Sequence, residues 1–216
     1  VSGTDMKPSD VTAHLENIGM KIYYKHEAEN VEGVDAVVYS NAVSDDNPEV
    51  VRAKELGLPL FSRAEVLGML MNRYDNSVAI CGTHGKTTVT SMTSLILRNA
   101  NYKPTILVGG NLPEINGNVE IGKNDYFVTE ACEYMDSFLN LKPFGEIILN
   151  IDEDHLDYFK NINHIEESFK EFGLIIDKKL ESFSDTLDNK FDDNDIRNQI
   201  ILEIENACNY YENLFF

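Results

Sequence analysis

The spacing of apolar positions changes along this chain. Val11, Leu15 and Ile18 fall on one helical face, and Gly19 follows where a left-handed residue would end the helix. Asp35–Ser40 (DAVVYS) is a short β-branched run of strand type. Asn47-Pro48-Glu49 offers a helix cap, a first-turn proline and an acid at the positive end of the helix dipole. Ser62 and Glu65 have capping-box spacing ahead of Val66, Met69 and Leu70. Strand and helix signals alternate, which predicts a parallel sheet with crossover helices.

The rhythm restarts at Ser77. Ser77–Cys81 reads as a buried strand, followed by a glycine-containing turn and a helix carrying Val89, Met92 and Ile96. Further strand-like runs occupy Thr105–Val108, Tyr126–Thr129 and Ile147–Ile151. Asn163 and Glu166 predict the cap of a last helix with Ile165, Phe169 and Phe172 on one side. A polar break at residues 72–76 marks the boundary between an α/β domain at 1–72 and a second, mainly parallel α/β domain at 76–176. Residues 177–216 form an acidic, partly helical or disordered tail: 181–194 reads as linker or disorder, and Ile196, Ile200, Ile204, Cys208 and Tyr211 recur at helical spacing.

Composition narrows the function classes. The 216 residues suffice for one large domain or two small ones. No apolar stretch approaches the ~20 residues of a membrane helix, so membrane insertion is not expected. The chain opens without a signal-peptide pattern and without an initiator Met, and a fragment is expected. Eighteen Lys and Arg against 37 Asp and Glu give a net charge of −19, which argues against nucleic acid as a partner. Cys81, Cys132 and Cys208 are odd in number and lack CxxC spacing, as suits free thiols in a reducing cytoplasm.

The most informative segment is Cys81-Gly82-Thr83-His84-Gly85-Lys86-Thr87-Thr88, between a strand and a helix. Glycines let backbone amides approach phosphate oxygens, and the helix N-terminus adds favourable dipoles. Lys86 would place a cation on the β/γ phosphates, and the Thr87 hydroxyl would reach Mg²⁺. The general phosphate loop has a glycine six residues before its lysine; Ile80 stands there, so this P-loop is a shortened variant.

Acids that could help hold the cation follow two later strands: Glu130 and Glu133 after one, Asp152, Asp154 and Asp157 around His155 after the other. Any one of them could be a solvated loop charge. Position favours Glu130 and His155, and the aspartates beside His155 could orient its imidazole. His14, His26 and His164 read as surface or packing residues, and neither Cys81 nor Cys132 has a base partner that would make it a nucleophile.

Three motifs in order, CGTHGKTT at 81–88, EACEY at 130–134 and NIDEDHLDYF at 150–159, resemble the Mur ligases of peptidoglycan synthesis. Ser40-Asn41-Ala42, Asn47-Pro48-Glu49, Gly57-Leu58-Pro59 and Arg63-Ala64-Glu65 are similar to that family's N-terminal domain, so the resemblance covers residues 1–176. It implies a small Rossmann-like, UDP-sugar-binding N-terminal domain and an ATP-binding central domain, each partial. It also implies an ATP-dependent amide ligase of cell wall biogenesis working through an acyl phosphate, with the EACEY form pointing to UDP-N-acetylmuramate and L-alanine as partners. Gly82, Thr83, His84, Gly85, Lys86, Thr87 and Thr88 would hold the triphosphate and Asn150 would sit at the nucleotide. Thr87 and Glu130 would ligate one Mg²⁺ and His155 would serve a second metal site; Lys86, Glu130 and His155 would carry the catalysis.

Members of the family begin with a further strand and glycine-rich turn that helps bind uridine diphosphate. They continue into a C-terminal Rossmann-like domain, whereas the resemblance here fades near Gly173–Ile176. Two alternatives stay open: a muropeptide-recycling ligase of the same family, and a nucleotide-binding piece without ligase activity. The sequence leaves the oligomeric state open, and it contains neither a guanine-specificity NKxD pattern nor a kinase catalytic loop.

Overall fold

The computed structural model describes the backbone of residues 1–187 and the side chains of residues 1–175. They form two compact units, dividing between Val66 and Leu67.

In the first unit, β1 (Ser2–Thr4) pairs in parallel with β2 (Lys21–Tyr23), and β3 (Val37–Tyr39) with β4 (Leu60–Ser62). α1 (Asp10–Asn17) and α2 (Pro48–Glu55) are the respective crossovers. The alternating pattern thus yields parallel pairing, but in two separate two-stranded sheets. A cavity of about 310 Å³ is lined by residues of β1 and β3 together with Glu49.

Local chemistry explains most of the helix ends. Gly19 takes φ +93° after α1, the side chain of Asn47 accepts from the Glu49 amide, and Ser62 and Glu65 cap each other reciprocally. The face of α1 differs from the expected one: Val11 and Ile18 are exposed, and Thr12 is buried. In so short a helix the capping box between Ser9 and Thr12, rather than apolar spacing, decides which side turns inward.

Glu49 is a mostly buried acid at the start of α2. It accepts from Thr4 Oγ1 at 2.6 Å and Asn30 Nδ2 at 2.7 Å, and meets His26 Nδ1 at 2.7 Å. Burial pushes its carboxyl up, but these three hydrogen bonds and the His26 charge together outweigh burial and hold it below the usual range. A carboxyl lowered in the folded state contributes stability above the ordinary carboxylate range and loses it as pH falls through the lowered value. Glu49→Gln should therefore lower the melting temperature at neutral pH, with the gap to the parent closing in acid. A gap that stays constant down to low pH would exclude ionised Glu49 as the cause.

α3 (Arg63–Met71) leads into the second unit, where Leu67 and Met71 join the core. Residues 72–76, expected as the boundary, follow this helix and lie just inside the second unit. A five-stranded sheet has the order β7-β6-β8-β5-β9, with β5 (Asn76–Cys81), β6 (Thr105–Leu112), β8 (Tyr126–Glu130) and β9 (Gly145–Ile148) mutually parallel and β7 (Gly117–Glu120) antiparallel at the edge. Ile80 lies opposite Glu130, and Cys81 opposite Ile148. The carboxyl ends of β5, β8 and β9 thus finish side by side, where open α/β sheets place ligands.

α4 (Lys86–Asn99) packs on β6 and β8. Its buried residues are Thr90, Ser94 and Leu95, whereas Val89, Met92 and Ile96 are less completely covered. α5 (Ile162–Leu187) is capped by Asn161, whose Oδ1 accepts from the His164 amide at 3.0 Å, rather than by Asn163. Its Ile165, Phe169 and Phe172 are buried as expected, with Phe138 stacked on Phe172 at 4.7 Å and edge-on to Phe169 at 5.1 Å. α5 continues through Leu187, so residues 181–187, expected as linker, are helical. The remainder of the tail, with the helix expected at Ile196–Tyr211, lies outside the described residues.

Candidate functional site

β5 fixes the entry to the site. Ala79, Ile80 and Cys81 are fully buried, so the chain must turn out of the sheet after Cys81. Gly82 makes that turn at φ +130°; a Cβ there would lie 3.0 Å from Leu149 Cβ and 3.1 Å from both the backbone N and O of Asn150. Gly85, at φ +85°, is the N-cap of α4. Both positions need glycine, one for space and conformation and the other for conformation.

The segment after β9 clamps this loop. Thr83 N donates to Asn150 O at 3.1 Å, and Thr83 Oγ1 accepts from Asp152 N at 2.8 Å. The Asn150 side chain makes a two-way pair with the His84 backbone, both bonds at 2.9 Å. These bonds also explain why β9 stops at Ile148 instead of reaching Ile151: the Leu149 amide still donates to Cys81 O at 3.1 Å, but Asn150 and Asp152 turn aside to hold the loop.

Across the loop stand two acids with different partners. Glu130, at the end of β8, accepts from Thr87 Oγ1 at 3.1 Å through Oε2 and from the Gly109 amide through Oε1. A Cβ on Gly109 would fall 2.7 Å from Glu130 Oε2, so that glycine makes room for the carboxylate. Glu133 is buried beneath Lys86. Lys86 Nζ donates to Gly82 O at 2.6 Å, Thr83 O at 3.1 Å and Glu133 Oε1 at 2.9 Å. An ammonium has three protons, and all three are taken.

The turn that aims Glu133 uses left-handed backbone at Met135 (φ +52°) and Asp136 (φ +51°). Asp136 is anchored by hydroxyls of Tyr158 and Ser168. The hydrogen bond to Asp136, more than burial, pushes the Tyr158 phenol up to about 12.

His155 lies beside Glu133 rather than Glu130, with Nε2 3.8 Å from Glu133 Oε1 and its ring 4.7 Å from that of Tyr134. The neighbouring aspartates do not orient its imidazole: Asp154 accepts from the His155 backbone amide and Asp157 from the Tyr134 hydroxyl. Burial, reinforced by the negative charges of Glu146 and Glu133, pushes the Cys81 thiol up to about 12 despite Lys86, so it remains protonated and unsuited to nucleophilic attack. Among the described residues, no three His, Cys, Asp or Glu side chains converge in a metal-binding group.

The structure therefore gathers Gly82, Thr83, His84, Gly85, Lys86, Thr87 and Asn150 into one loop assembly, with Thr88 in the first turn of α4. It joins Glu130 to Thr87 and pairs His155 with another acid. Glu133 is the site residue that sequence spacing undervalued; its one signal was its position three residues after Glu130.

Residues 1–75 match the Mur ligase family catalytic domain, and residues 80–191 match the Mur ligase middle domain. The chain belongs to the Mur ligase family. UDP-N-acetylmuramate–L-alanine ligases from Alkaliphilus metalliredigens and Caldanaerobacter subterraneus are 54% and 53% identical to it over 179 and 176 residues, which is 83% and 82% of this chain. The match spans only 39% and 38% of those two relatives. Among solved Mur ligases, the UDP-N-acetylmuramate–alanine ligase of Thermotoga maritima is 32% identical with a TM-score of 0.74, covering 81% of this chain and 41% of its own. The UDP-N-acetylmuramate:L-alanyl-γ-D-glutamyl-meso-diaminopimelate ligase of Neisseria meningitides is 27% identical with a TM-score of 0.72, covering 82% of this chain and 60% of its own. The α/β architecture with a mainly parallel central sheet is shared with these Mur ligases. No helix among the described residues is long and apolar enough to cross a membrane.

Proposed function

We propose that this chain is the nucleotide-gripping part of an ATP-dependent amide ligase that joins L-alanine to UDP-N-acetylmuramate in the cytoplasm, in peptidoglycan precursor synthesis. One observation carries the reading: a glycine-built loop between β5 and α4 holds Lys86, with the Thr87–Glu130 pair at its mouth. In this reading the loop amides and the N-terminus of α4 receive the triphosphate, and Lys86 supplies a point charge to its terminal phosphates. Thr83 and Asn150 keep the loop open for that approach through their mutual clamp.

Thr87 and Glu130 fit Mg²⁺ as hard oxygen donors, because that ion takes one or two protein oxygens and completes its shell with phosphates and water. When bound, it would neutralise charge on the transferring phosphoryl group. His155, paired with Glu133, would serve a second cation apart from the Thr87–Glu130 pair. The chain's own residues then bind, orient and neutralise, and no side chain need become covalently attached.

Glu130→Ala tests the assignment. Half-saturation with a fluorescent ATP analogue should need roughly tenfold more Mg²⁺, because one of two protein oxygens is lost. An unaltered Mg²⁺ titration would remove Glu130 from the cation site. The kinship to alanine-adding enzymes at 53–54% identity favours alanine over a peptide acceptor. Analogue binding without alanine-dependent phosphate release would instead mark a nucleotide-binding piece that does not turn over.

A further inference from the structure

In the binding scheme above Glu133 enters only as the neighbour of His155, at 3.8 Å, yet it is among the most deeply buried charged side chains described. Its side chain is 3% exposed, one carboxylate oxygen takes a proton of Lys86, and the other, Oε2, has no hydrogen-bond partner. Lys86 is saturated by Glu133 and two carbonyls of its own loop, so an arriving phosphate must displace one of three existing acceptors. Two of these acceptors are neutral. The third carries a full negative charge and faces the same ammonium that a phosphate would face.

We infer that Glu133 is a positioning residue that acts as a charge gate on the loop: it parks the Lys86 ammonium inside the cradle and competes with phosphate for it. The inference rests on the reading of the loop as a triphosphate site. A parked lysine is pre-oriented, which lowers the ordering cost of binding. It is also masked, so an anion of low charge gains little from it, whereas a polyphosphate with many oxygens can outcompete a single carboxylate. The left-handed turn at Met135–Asp136 and its anchoring to Tyr158 and Ser168 hold the gate in place.

This role predicts a gain, which a merely structural residue would not give. Glu133→Gln keeps the side-chain shape and removes the charge, so a fluorescent ATP analogue and inorganic phosphate should both bind roughly tenfold tighter, about 1.4 kcal/mol. Glu133→Asp, which retains the charge, should stay close to the parent. In a Lys86→Ala background the Glu133→Gln gain should shrink to less than about twofold, because the competition runs through Lys86.

The controls separate two failures. If the parent binds the analogue and Glu133→Gln binds it no tighter, the gate is overturned while the phosphate site stands. An equal gain in the Lys86→Ala background overturns it too, by showing repulsion that bypasses the lysine. If parent and variants all fail to bind the analogue while retaining the parent's melting transition, the phosphate reading falls and the gate with it. Should Glu133→Gln prove poorly folded, Glu133→Met, which is uncharged and close in volume, provides the same comparison.

Discussion

Lys86→Ala is expected to cost this chain both its triphosphate binding and a large part of its stability. The binding loss follows from removing the ammonium that the loop would present to the incoming phosphates. Truncating one partner of a buried charge pair costs about 2–5 kcal/mol, so affinity should fall by about thirtyfold or more. The stability loss has a separate cause. Glu133 is buried and loses its closest cation, and breaking a buried ion pair from one side costs about 3–5 kcal/mol. The melting temperature should drop by roughly 6–12 °C if about 3 kcal/mol is lost. Calorimetric melting of Lys86→Ala and of Lys86→Ala with Glu133→Gln distinguishes the two effects. The double variant should recover most of the stability and none of the binding; unchanged analogue affinity in Lys86→Ala would end the loop assignment.

Gly82→Ala should be the second most damaging change, although it adds only a methyl group. At φ +130° an L side chain is strained, at a cost of about 1–3 kcal/mol. The new Cβ would also press on backbone atoms of Asn150, at 3.1 Å from both N and O. Asn150 cannot give way without loosening its bonds to Thr83 and His84, so the strain passes directly to the loop that would cradle phosphate. A melting temperature lower by roughly 4–8 °C is expected for about 2 kcal/mol, with analogue affinity reduced at least tenfold. Gly117→Ala is the matched control, because nothing lies within 4 Å of a Cβ at that glycine. If Gly82→Ala melts and binds like Gly117→Ala, the cradle does not depend on Gly82.

Much of the fold was legible because its signals are local. The Asn47 cap, the Ser62–Glu65 capping box, the left-handed Gly19 and the buried face of Ile165, Phe169 and Phe172 each depend on residues within a turn or two of one another. Where local signals compete, apolar spacing misleads. That of Val11 and Ile18 is overridden by the Ser9–Thr12 capping box, and Asn163, expected as a cap, lies inside the first turn of a helix that Asn161 caps. Hydropathy equally favours continuing β9 through Leu149 and Ile151, both apolar. Asn150, between them, is drawn away by bonds to Thr83 and His84, residues far earlier in the chain.

The loop is legible in the sequence, because Gly82, Gly85, Lys86 and Thr87 are near enough in the chain for backbone conformation to bring them together, although its clamp comes from Asn150 and Asp152. Which acid stands by which loop residue is decided only in three dimensions. Glu130 and Glu133 have the same chemistry and lie three residues apart, so no spacing rule separates them. The register of β8 against β5 delivers Glu130 to Thr87, while the left-handed turn at Met135–Asp136 buries Glu133 under Lys86. Burial then gives Glu133 its weight, because a carboxylate removed from water must keep a cation close, and the cation it keeps is the one the loop would present to phosphate.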